Sequence, residues 1–154
     1  MSIPPKVLEA AGRAIAEALA HGQVGDGGVG DHSHQHFNRE EVATVLLFLA
    51  AGPVKELRNI PHKLHETSYT WKHRAERWGR VLGLPPYVSN GAFIIAADWL
   101  GVPSRRSPNS PNVFYALRSL RDDVGQGVNH EFGDPTWERK RDSRTIVRLL
   151  GDRA

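Results

Sequence analysis

Two segments of this chain, residues 42–50 (VATVLLFLA) and 93–100 (FIIAADWL), are apolar on nearly every side of a helix. A helix with no polar face must be surrounded by other parts of the chain. The remaining residues are therefore expected to wrap around two central helices. Each segment carries its own start and stop signals. Asn38 with Glu41 three residues later reads as a capping box before the first, and Gly52-Pro53 ends it. Ser89 or Asn90 can cap the second, and Gly101 and Pro103 close it.

The chain has 154 residues, 40% of them hydrophobic and 24% charged, which are ordinary globular values. A domain of that size buries roughly 70% of its unfolded surface and needs no covalent staples. There are no cysteines, so disulfides, thiolate zinc sites and cysteine nucleophiles are excluded, which fits a reducing compartment. Glu9 falls where a signal peptide needs its apolar run, and no stretch approaches the ~18 apolar residues of a membrane span. These features point to a soluble cytoplasmic protein with no membrane partner.

Around the two central helices the pattern predicts others. Pro4 and Pro5 open a helix to about residue 21, with Leu8, Ala11, Ile15 and Leu19 as its apolar stripe. Residues 22–37 hold five glycines between Gly22 and Gly30 and three alternating histidines, and read as a Gly/His-rich mobile loop. A short further turn of helix is expected over 54–60. Thr67 or Ser68 caps a helix through Arg80, and Asp134-Pro135 opens a last helix to about 150. Residues 112–121 are open between helix and strand, because Val113, Tyr115 and Leu117 alternate while Ser110-Pro111 resembles a helix start. The expected fold is mostly α: a single domain over 1–154, a bundle of about five helices, with a short strand or hairpin near 112–120 as the variant.

Charge is uneven. Residues 1–60 hold five Lys and Arg against seven Asp and Glu, residues 61–121 hold nine against three, and residues 122–154 hold six against seven. The middle segment therefore carries +6 of a net +3, within which SYTWKHRAERWGR is the most informative stretch. At 100° per residue Trp71, Ala75 and Trp78 share one stripe, while His73, Arg77 and Arg80 lie opposite, with Tyr69 beside them. Lys72 and Glu76 can pair at i, i+4. One face can bury two indoles while the other offers cations and a phenol to an anion. That makes Tyr69, Lys72, His73, Arg77 and Arg80 candidate nucleic-acid contacts, with Arg105 and Arg106 added from the loop PSRRSPNSP. Tyr69 or Tyr115 is a candidate for base stacking. The alternative is a solvated basic face on a core helix. Ala97 and Gly101, flanked by Leu100 and Val102, resemble the first half of a helix-turn-helix, but Pro108 and Pro111 would break the second helix.

The segments SYTWKHRAERW, YVSNGAFIIAADWLGV and SPNVFYAL together resemble a family of small phage- and plasmid-encoded proteins carrying SYxxKHxxE and YVSNGxFIxAAxxLG. The resemblance covers about residues 68–117, a third of the chain. It implies that Lys72, His73, Glu76, Tyr87, Ser89, Asn90, Gly91 and Asn112 are motif positions, and it supplies a mobile-element context without a mechanism.

His32, His34 and His36 would share one side of an extended backbone beside Asp31 and form a candidate site for Zn or another divalent metal. Ordering so glycine-rich a loop opposes it. His62, His65 and Glu66 can share a helix face, but not in a zincin order. There is no GxSxG elbow, no phosphate-binding loop and no evident acid–base pair of carboxylates. The leading expectation is a DNA-binding accessory protein of a phage or plasmid, not an enzyme. Behind it stand a protein-binding effector acting on a host complex or defence system, and a metal-dependent enzyme using the His-rich loop.

Overall fold

The computed structural model describes residues 2–31, 35–61, 66–85 and 87–120. The two apolar helices form its centre. In α2 (Arg39–Ala51) every residue from Val42 to Ala50 is buried, and in α4 (Asn90–Trp99) every residue from Asn90 to Ala97 is buried. They pack on each other, α1 (Pro5–His21) covers both, and α3 (Ser68–Val81) closes another side against both. The four helices share one apolar core.

Proline at the first helical position starts α1, and Gly22, in the left-handed region at φ 68°, ends it by donating its N–H to the Ala18 carbonyl. Its buried stripe is Val7, Ala10, Ala11 and Ala14, while Leu19 is exposed and Leu8 and Ile15 are half-covered. The stripe is thus rotated from the expected one. Three alanines let the α1 backbone approach α2 closely, and that gain outweighs burying the longer leucines.

The strands are short, antiparallel and paired in twos. A tight hairpin, β1 (Val24–Gly25) with β2 (Gly28–Val29), lies within the stretch read as a loop and packs against α4. Residues 54–56, expected as a turn of helix, form β3 (Val54–Glu56), which pairs with β6 (Leu117–Ser119). β4 (Ser104–Arg106) pairs with β5 (Val113–Tyr115), and an isolated bridge joins Thr67 to Phe114. The alternation of Val113, Tyr115 and Leu117 thus reads as strand, all three being buried.

The expected helix count is corrected. The described residues hold four helices with small strand pairs rather than a five-helix bundle, and the helix expected over 134–150 lies outside them. Among the described residues no helix follows α4, as Pro108 and Pro111 predict for the second helix of a helix-turn-helix. After Gly101 the chain extends into β4, since Pro103 and Pro108 disfavour a helix and β5 offers a partner edge. No described helix is long and apolar enough to cross a membrane.

Candidate functional site

The motif positions of α3 and of the chain before α4 meet at one place. The stripe Trp71, Ala75 and Trp78 is buried as its spacing predicts. Phe48 of α2 contacts both indoles, at ring-centroid distances of 6.4 Å and 5.9 Å. This anchors α3 by one face and fixes which side chains look outward.

Lys72 departs from the expected nucleic-acid contact. It is 6% exposed, not a free cation on the surface. Its Nζ lies 3.5 Å from Glu76 Oε1, 5.4 Å from the Tyr69 ring centroid and 5.0 Å from that of Tyr87. The aliphatic stem is covered, and the head is held by a carboxylate and two aromatic faces, each of which attracts a cation. The i, i+4 spacing announced the Glu76 contact. Tyr87, which arrives from a different segment, completes the burial.

Glu76 gathers three groups. Besides Lys72, His73 Nδ1 lies 2.8 Å from Oε1, and the Val88 amide donates to Oε2 at 3.3 Å. The next amide, that of Ser89, donates to Glu41 Oε1 at 2.8 Å. Glu41 was expected to complete a capping box with Asn38. Instead Asn38 caps α2 alone, accepting from the Glu40 amide at 2.8 Å, and Glu41 reaches across to the start of α4. Burial pushes the Glu41 carboxyl above its ordinary value, the Ser89 hydrogen bonds oppose this, and the Asp26 charge adds to it. Burial also raises the Tyr87 phenol, followed by the charges of Glu41, Glu76 and Asp26. The surroundings of Lys72 are therefore acidic as well as aromatic.

Ser89 is the cap of α4 and accepts from the Ala92 amide at 3.0 Å. Asn90 is thereby free for another task. Its Nδ2 faces Asn112 Oδ1 at 2.8 Å, the Gly27 carbonyl at 3.0 Å and the Pro111 carbonyl at 3.4 Å. It ties the helix start to the β1–β2 hairpin and to the loop before β5. Gly91 completes the junction. Its N–H donates to the Asp26 carbonyl at 3.0 Å, and a Cβ there would run into the Gly25 carbonyl oxygen.

The other predicted contacts fall into two groups. His73, Arg77 and Arg80 are exposed along α3, with Tyr69 at its first turn, 52% exposed and edge-on to His73 at 4.7 Å. Among the described residues neither Arg77 nor Arg80 makes an ion pair. Arg105 and Arg106 lie on a separate element, β4. Arg105 sits over the Phe114 ring at 5.4 Å and Arg106 is 3.2 Å from Asp98 Oδ2. Tyr115 is fully buried and cannot stack on a base. Its hydroxyl donates to Asp98 Oδ1 at 2.8 Å, and burial followed by the Asp98 charge pushes its phenol well above the usual range.

Of the proposed metal ligands, His32 and His34 lie outside the described residues and His36 is exposed. His62 and His65 also lie outside them. Among the described residues no three His, Asp or Glu side chains converge in a metal-holding group. Glu66, grouped with those histidines by its spacing, takes both terminal nitrogens of Arg74, at 2.7 Å and 2.6 Å. Sequence reasoning missed Glu41 and Asp26 as members of the cluster, and no local pattern marks either one. No family model, curated protein or solved structure matches the chain.

Proposed function

We propose that this chain is an accessory protein of a phage or plasmid that binds nucleic acid, DNA in the first instance, through the outward face of α3. One observation carries the reading: His73, Arg77 and Arg80 are exposed opposite the buried stripe, and the two arginines have no ion-pair partner among the described residues. Arginines left without counter-ions on a rigid helix suit bidentate contact with phosphate oxygens. Lys72 is reserved for Glu76 and has no part in that contact. Arg106 is partly neutralised by Asp98, so β4 offers a weaker second surface.

The test is fluorescence anisotropy of the protein with a labelled duplex at several salt concentrations. Replacing Arg77 and Arg80 together by alanine should weaken binding and reduce the slope of log K against log salt by about 1.8, since each phosphate contact contributes about 0.9. Equal affinity and equal slope in the double variant would overturn the reading.

A further inference from the structure

Tyr69 and Tyr87 stand out among the large apolar side chains, because they leave 52% and 57% of their surface to water beside a buried cation. They come from different segments, the first turn of α3 and the residues before α4, and both rings lie against Lys72 Nζ, at 5.4 Å and 5.0 Å. The position of the lysine is fixed from below by Glu76. Two aromatic rings are thus held against one ammonium group. We infer that Tyr69 and Tyr87, positioned from beneath by the buried Lys72, form an aromatic seat for an unpaired nucleobase, so that the preferred ligand is single-stranded. The inference rests on the nucleic-acid reading of α3 and specifies its substrate.

The chemistry of the seat distinguishes a base from a phosphate. Glu76 touches the lysine, and the charges of Glu41, Glu76 and Asp26 all act on the Tyr87 hydroxyl. A phosphate would be repelled from so acidic a place, whereas a neutral heteroaromatic ring is not. The exposed parts of the two tyrosine rings can stack on any base. Phosphates belong farther along the helix. Arg77 is eight residues from Tyr69, about 12 Å along the α3 axis, and Arg80 is almost a further turn on. A single strand running along α3 would place its backbone on the arginines while one base reaches the tyrosines. In duplex DNA the base faces are stacked and cannot reach the seat without being extruded.

The experiment compares affinities for labelled oligothymidylate, oligouridylate and a random duplex at one low salt concentration. Tighter binding of the single strands is expected for the native protein. Tyr69→Ala and Tyr87→Ala should each weaken single-strand binding about tenfold and leave the duplex affinity nearly unchanged, while Tyr69→Phe and Tyr87→Phe keep the stacking face and the affinity. The two oligonucleotides separate DNA from RNA as the source of the base. Equal affinity for duplex and single strand, with alanine variants indistinguishable from native, would overturn the seat while the arginine face stands. Absence of binding to all three would overturn both. Because both rings also cover Lys72, a small drop in melting temperature is expected for the alanine variants and none for the phenylalanine variants, and a cooperative transition in all four separates lost contact from lost structure.

Discussion

Glu41 and Glu76 sit on different helices and accept hydrogen bonds from consecutive backbone amides, those of Ser89 at 2.8 Å and Val88 at 3.3 Å. The chain leading into α4 is therefore held by one carboxylate from α2 and one from α3. Tyr87, immediately before it, gains its place against Lys72 from this tether. The same two carboxylates make the site acidic, so the scaffold and the local electrostatics have a common origin.

The raised Glu41 carboxyl gives a pH dependence of defined sign. A carboxyl that binds its proton more tightly when folded favours the native state at low pH and loses that advantage as pH rises through its folded value. Glu41→Gln keeps an oxygen to accept from Ser89 and removes the charge. Relative to native protein, the variant should gain stability between pH 4 and pH 7 in thermal unfolding. A variant-minus-native stability that stays level or falls as pH rises over that range would contradict the assignment.

Lys72 and Glu76 are both nearly buried. Removing Lys72 leaves the Glu76 charge with only His73 and the Val88 amide beside it, so Lys72→Met should lower the unfolding free energy by about 2 kcal/mol, less than for a fully uncompensated buried charge. Adding Glu76→Gln to it should restore part of the loss, because no buried charge is then left over. Urea unfolding of the four proteins in a double-mutant cycle measures this. Strictly additive effects would mean the pair is uncoupled.

Gly91 and Gly12 should respond oppositely to alanine. At Gly91 the new methyl would strike the Gly25 carbonyl oxygen, a backbone atom that cannot move without opening the hairpin. A loss of about 3 kcal/mol is expected. At Gly12, inside α1, the methyl meets the Arg39 guanidinium at 3.3 Å, the far end of a flexible side chain. There the helix gains about 0.5 kcal/mol from the better propensity of alanine. Melting temperatures of the two variants, one lowered and one level or raised, are the readout.

Tyr115→Phe removes the hydroxyl that donates to Asp98 at 2.8 Å. Asp98 is partly open to water, so the expected cost is about 1 kcal/mol at neutral pH. Burial raises the Asp98 carboxyl, and the Tyr115 hydrogen bond opposes that shift. The variant should therefore carry the cost above the carboxylate range and recover as pH falls and Asp98 is protonated. Chemical denaturation at pH 7 and pH 4 gives the comparison.

The parts of this fold legible in the sequence are those decided by neighbours along the chain. α2 and α4 follow from their uninterrupted apolar runs and from the Asn38 and Ser89 caps, and the face of α3 follows from the spacing of Trp71, Ala75 and Trp78. The Lys72–Glu76 contact follows from one turn of helix. What was illegible depends on long-range partners. Glu41 looks like half of a local capping box until the Ser89 amide, 48 residues on, takes it instead. Lys72 looks like a surface cation until Tyr87 covers it. β3 and β6 are three residues each, too short to show a period, and neither is specified without the other.

The pairing of Val54 with Ser119 and of Glu56 with Leu117 sets an order of events during synthesis. Chain emerging from a ribosome can assemble α1 against α2 as soon as both are out, because their contacts need nothing downstream. β3 must wait. Its partner strand is made only after α3, α4 and the β4–β5 hairpin, so Val54–Glu56 stays without its pairing partner through the translation of some sixty further residues. Lys55, exposed at the middle of the segment, places there a charge of the kind that disfavours pairing with another chain in the interval.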